Sequence, residues 1–305
     1  MILLQESARG VFVISVTPFQ ENGSLDLTSA ARLTEFYLER GANGLTILGM
    51  MGEASKLTAE EAVTFSRAVI RQVAGRVPVV VGVSSPGFAA MRELTQHVMQ
   101  AGAAGVMVAP TAGLRSDDAI VGYFHDVAAA LEGVPFALQD FPQSTGVQIA
   151  PGTIMRIVRD LPSCVMLKHE DWPGLNKISE LRRADMRRIS ILTGNGGVFL
   201  PEEMRRGADG AMTGFAYPEM MVDVIAAHSA GQFERAADLF DAYLPLARYE
   251  QQPGPGLALR KHVLVCRGAI ACAAQRRPAA RLTADDLADL AFLIGRQERR
   301  LAELG

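Results

Sequence analysis

The chain of 305 residues is poor in cysteine and in aromatic side chains, and it has no long block of like charge. Its three cysteines, Cys164, Cys266 and Cys272, are too few and too scattered for a disulfide framework, and they show no CxxC spacing that would suit zinc. They read as small buried hydrophobes kept reduced, which fits a cytoplasmic location. The formal net charge is −3 and no basic run occurs, which argues against nucleic acid and anionic membrane as partners. The longest clean apolar run, VPVVVGV at 77–83, is strand-sized and well short of the ~18 residues that suggest a membrane span. The start, MILLQESARG, has neither a basic region nor a long apolar core, so no secretory signal is expected.

What the chain has in quantity is apolar residues, 49% of the total, enough for a large core. An internal repeat organises them. GANG (41–44), GAAG (102–105) and GADG (207–210) each follow a helical pattern and precede a short apolar run. Glycine suits the left-handed residue just past a helix end, so each copy reads as helix stop, turn, strand start. Two further strands begin after proline, in RVPVVVG and GVPFALQ.

Eight such runs emerge, at 10–16, 44–48, 78–83, 105–109, 134–140, 164–168, 189–193 and 210–213. Helical patterns separate them. Thr58 and Glu61 form a capping box ahead of Ala62, Phe65, Val69 and Val73 at helical spacing. The first helix starts at Asp26 and buries Leu33, Phe36 and Tyr37. Eight apolar strands alternating with helices predict a parallel sheet closed into a (β/α)8 TIM barrel. A doubly wound open sheet is the runner-up, but no GxGxxG follows the first strand. Residues 1–230 are expected to form the barrel. Residues 231–305 are expected to form a helical appendage, its last helix capped by Thr283 with Asp286.

The stretch VMLKHED (165–171) carries the chemical question. Lys168 ends the sixth strand, where a barrel places its chemistry. Alternation points Lys168 and Met166 one way and Leu167 and His169 the other. An amine facing the barrel mouth is desolvated, which disfavours the ammonium and favours a nucleophile that attacks carbonyls. The competing reading is a lysine that reaches water or pairs with Glu170.

Four segments then bear on the choice: GVFVISVTPFQENGSLD (10–26), GANGLTILGMMGEASKLTAEE (41–61), GRVPVVVGV (75–83) and the lysine strand. In this order and spacing the chain resembles the dihydrodipicolinate synthase / N-acetylneuraminate lyase family of class I aldolases. The resemblance implies a barrel with a C-terminal helical segment, assembly as a homotetramer, and an imine between Lys168 and pyruvate or another 2-keto acid. It implies no cofactor and no metal.

Departures from the family pattern are equally informative. The substrate-carboxylate loop, G-T-T-G-E or G-S-T-G-E in the family, is here Gly49-Met50-Met51-Gly52-Glu53. The hydroxyls are gone, while backbone amides can still cradle a carboxylate. The family's Y-N-x-P at the end of strand five is here Gln139-Asp140-Phe141-Pro142. Glutamine relays no protons at neutral pH, although it can orient water or a hydroxyl. The family's tyrosine pair after strand four is absent, with Ala112 near its place, and Ser144 stands where an arginine often binds an acidic substrate. A replacement acid/base is needed, and Glu170, two residues past Lys168, is the leading candidate. The other candidates are a structural Glu53 and an Asp140 facing away from Gln139.

His169, Glu170 and Asp171 alternate sides and make a poor joint metal site. Gly194, Asn195 and Gly196 form a glycine-rich turn after strand seven that can hold a polar tail of the substrate. Thr213 and Gly214 end strand eight and are expected at the mouth. The expected function is an imine-forming lyase, an aldolase or a dehydratase, acting on pyruvate or a 2-keto-3-deoxy acid. The alternatives are 4-hydroxy-tetrahydrodipicolinate synthase and a keto-acid-binding protein without turnover.

Overall fold

A computed structural model describes residues 2–305. Eight parallel strands follow one another around a closed barrel: β1 Gly10–Ile14, β2 Gly44–Ile47, β3 Val79–Gly82, β4 Gly105–Val108, β5 Phe136–Asp140, β6 Cys164–His169, β7 Ser190–Thr193 and β8 Gly210–Ala211. β1 closes the ring by pairing with β8. The (β/α)8 expectation holds, and the open sheet is excluded.

The helices up to the end of the barrel are α1 Leu27–Glu39, α2 Ala59–Val73, α3 Phe88–Ala101, α4 Asp117–Leu131, the single turn α5 Pro142–Thr145, α6 Pro151–Asp160, α7 Leu175–Arg183, α8 Leu200–Arg205 and α9 Glu219–Ser229. Their starts follow from the sequence. The Asp26 carboxylate accepts from the Ser29 amide, and Thr58 and Glu61 complete a reciprocal capping box. Each cap satisfies amides that the first helical turn leaves without partners.

Two apolar layers result. Val11, Val13, Leu45, Ile47, Val106 and Leu167 face the helices, while Phe12, Ile14, Val80, Met107, Met166 and Met212 fill the barrel. Strands buried on both sides explain why they read as continuous apolar runs.

After residue 230 come α10 Phe233–Glu250, α11 Gly256–Cys266 and α12 Ala284–Leu304. α10 packs against α9 and α12, so these helices continue the barrel's outer layer. The sequence pattern predicts helices near 217–250 and 257–274; the structure breaks the first at Gly231, which sits at φ +76°, and ends the second at Cys266. Thr283 and Asp286 form the predicted capping box on α12.

Candidate active site

Lys168 is 4% exposed and lies on the inner side of β6, the side of Met166. Across the strand pair it is in register with Gln139 on β5 and Leu192 on β7. A bulge sets this register: Phe136 pairs with Cys164, but Ala137 pairs with Met166, so Val165 has no partner on β5. Without the extra residue Gln139 would sit beside Leu167.

Glu170 turns back over the end of β6. Its Oε2 lies 2.7 Å from Lys168 Nζ and accepts a hydrogen bond of 2.7 Å from Gln139 Nε2. All three side chains are buried. The structure brings these three sequence-named residues into one cluster. The alternative of a Lys168–Glu170 pair is also realised; pairing and catalysis are compatible, because the carboxylate can accept the lysine's proton. Gln139 holds that carboxylate.

Gly194 has a purpose that the sequence alone does not reveal. A Cβ there would lie 2.1 Å from Glu170 Cγ, so only glycine lets Glu170 fold over the amine. The Gly194 amide donates to the His169 carbonyl and the Asn195 side-chain amide donates to the Glu170 carbonyl, at 2.9 and 3.3 Å. Gly196 donates to Thr213 Oγ1 at 2.8 Å. The turn expected to hold a substrate tail thus spends these donors on the protein, clamping the Glu170 backbone. Gly214 likewise accommodates a neighbour: a Cβ would lie 2.3 Å from Arg260 Nη1.

Across the barrel, Gly49 leads into a 3-10 turn over Met50–Gly52. The first amides of such a turn, Met50 and Met51, have no partner within it and are free to meet a carboxylate. Leu48 and Glu53 flank the loop in the left-handed region, at φ 54° each. Such strain persists only where the surroundings enforce it. Here Glu53 receives Lys261 Nζ at 2.7 Å, Lys56 Nζ at 3.0 Å and the Arg276 amide at 3.0 Å. That makes Glu53 structural, as expected. Met51 packs on the barrel-filling cluster, while Met50 is 44% exposed.

On the outer side of the same strands a second polar cluster stands back to back with the first. His169 Nδ1 lies 3.1 Å from Asp140 Oδ2, its Nε2 lies 3.0 Å from the Gly174 carbonyl, and Lys177 bridges Asp140 and Asp171. Burial pushes the Asp171 carboxyl up, but Lys177 outweighs it and leaves the group below its ordinary value. Glu203 on α8 is buried next to Thr193 and His169; burial pushes its carboxyl up to about 7, and its Oε2 has no partner among the described residues. Lys177 and Glu203 carry no signal in the sequence.

Comparisons with known proteins converge on one family. A sequence profile of the dihydrodipicolinate synthetase family matches residues 7–297. The chain belongs to this family. Among curated relatives, an L-2-keto-3-deoxyarabonate dehydratase of Azospirillum brasilense is 30% identical over 286 residues, 92% of each chain. A 4-hydroxy-tetrahydrodipicolinate synthase of Desulforamulus reducens is 30% identical over 239 residues, 77% of this chain and 80% of that one. Among solved structures, a dihydrodipicolinate synthase from Rhodopseudomonas palustris superposes with a TM-score of 0.95 at 50% identity, over 97% of this chain and all of that one. Membership of the dihydrodipicolinate synthetase family makes the chain a lyase of the class I aldolase type. No helix among the described residues is long and apolar enough to cross a membrane.

Proposed function

We propose that Lys168 is the amine that forms an imine with a 2-keto acid, and that Glu170 moves the protons. The observation that carries this reading is an incomplete shell. An ammonium has three donors. Among the described residues Lys168 Nζ meets one acceptor group, Glu170, on a side chain that is nearly fully buried.

The steps balance as follows. Glu170 takes a proton from the lysine, and the free amine attacks C2 of the keto acid. Loss of the C2 oxygen as water, with a proton returned by Glu170, leaves a protonated imine. Glu170 then removes a proton from C3, and the imine nitrogen takes up the electron pair as an enamine. The enamine either adds to an aldehyde, whose oxygen takes the proton that Glu170 carries, or expels a C4 hydroxyl that leaves as water with that proton; hydrolysis of the imine then releases the product and restores the amine. Gln139 keeps Glu170 between the two positions, and the Met50 and Met51 amides hold the substrate carboxylate. The dehydratase relative supports the elimination branch. The glutamine in place of a tyrosine at strand five weighs against 4-hydroxy-tetrahydrodipicolinate synthase.

The assembly is a homotetramer in the cytoplasm, and residues 231–305 act as an appendage of the barrel; the three unpaired cysteines support the location. The test is to incubate the protein with pyruvate and borohydride and map the adduct by mass spectrometry. Adduct at Lys168, absent in Lys168→Met, supports the reading; adduct elsewhere, or none, refutes it. Deuterium exchange at C3 of pyruvate then separates a working lyase from a mere binder.

A further inference from the structure

We infer that the site takes a 2-keto acid, or an aldehyde partner, whose distal end is an uncharged apolar group such as a phenyl ring, and that Trp172 and Phe199 receive it. This rests on the reading of Lys168 as the imine former. Trp172 lies two residues past Glu170 on the connection after β6, and Phe199 ends the connection after β7. Their ring centroids are 4.8 Å apart, yet they remain 45% and 38% exposed. Large rings exposed together on adjacent strand-end loops are otherwise costly, since each adds apolar surface to water. Those same loops are the ones tied together by Asn195 and the Glu170 carbonyl. The rings therefore stand on the same two loops that carry Glu170 and Gly194 over the amine.

Charge points the same way. Along the eight connections that follow the strands, the cations are Lys56 and Arg115. Lys56 is consumed by Glu53 and by the carbonyls of Arg276 and Pro278. Arg115 is exposed, on the connection after β4. The nearby C-terminal cations are also committed: Arg260 to Glu250, Lys261 to Glu53, and Arg276 to Glu61. A second substrate carboxylate would leave water without a cation at the rim beside Trp172. An apolar tail meets the rim on its own terms.

Trp172 is the only tryptophan of the chain, so its fluorescence reports this position alone. The full-length protein is titrated with 4-phenyl-2-oxobutanoate, with 2-oxoglutarate and with pyruvate. The expected result is a saturable change in Trp172 emission with the phenyl acid, at a Kd about tenfold or more below that of 2-oxoglutarate. Phe199→Ala lowers that preference to near unity. Borohydride adducts in the same samples report whether the amine is competent. A phenyl preference without any adduct sinks the imine reading and leaves this inference standing. Equal binding of the phenyl and dicarboxylic acids overturns it. So does a Phe199→Ala variant that changes the sedimentation coefficient while the preference persists, because the rings then belong to a contact between subunits.

Discussion

Two buried lysine–glutamate pairs in this barrel share the same separation, 2.7 Å, and differ in everything else. Lys261 donates to Glu53, to the Thr17 carbonyl and to the Ala274 carbonyl, and lies 4.6 Å from the centre of the Phe19 ring. Its three donors are used, and it knits α11 to the loop after β2. Burial lowers its affinity for the proton, and Glu53 works against that loss. Lys168 meets a single carboxylate at the open end of the barrel. A saturated cation is a fastener, while an unsaturated one is a reagent. Burial and pairing alone do not distinguish them; the count of partners does.

Removing each amine is the strongest way to break this comparison. Lys168→Met should lower turnover by about 10⁴-fold or more while costing less stability than the loss of Lys261, because a single bond is removed and Glu170 keeps Gln139. Lys261→Met should instead cost about 3–5 kcal/mol, because Glu53 Oε1 and the Thr17 and Ala274 carbonyls all lose the same buried donor. Urea titration of both variants decides the matter, and the distinction collapses if the two lose stability equally. Next in size is Glu170→Gln, which should slow C3 deuterium exchange by about 10²–10³-fold and still allow the borohydride adduct. An unchanged exchange rate would remove Glu170 from the chemistry.

Gly194→Ala sharpens the point from the backbone side. The new Cβ displaces Glu170, and a displacement of about 1 Å should cost up to about 10²-fold in exchange, while the borohydride adduct still forms, more slowly.

The smallest effect concerns a buried carboxyl that has no lysine at all. Glu203 holds its proton up to about pH 7 in the folded protein, against an ordinary value of 4.5. Across that window the folded state binds more protons than the unfolded chain, so stability falls as pH rises from about 4.5 to about 7 and is flat above. The loss is about 3 kcal/mol. Glu203→Gln should remove the slope, as measured by melting temperature against pH. A wild-type curve without that slope would show that the carboxyl ionises as freely as an exposed one.

Much of this arrangement was legible from local pattern. The repeated glycine stops and the proline-led starts marked the strands, because helix termination and strand entry are decided over a few residues. Lys168 was conspicuous because a cation closing an apolar strand is costly. Glu170 and Gln139 were legible only as positions two along and one strand over. Gly194, Asn195 and Thr213, expected at the substrate, bond mainly to the protein, which no local pattern shows. Trp172 and Phe199 lie on separate loops, so their contact has no signature along the chain.

The sequence by itself determined the number of strands, the barrel and the inward face of Lys168. Periodicity and chain punctuation are local properties, and eight such strands have few ways to bury both faces. Tertiary structure alone decided that Glu170 folds back onto the amine and that Gln139 stands beside it. Those contacts depend on one unpaired residue, Val165, and on a missing Cβ at Gly194. Neither register across strands nor the space above a side chain is written in the order of residues along one strand.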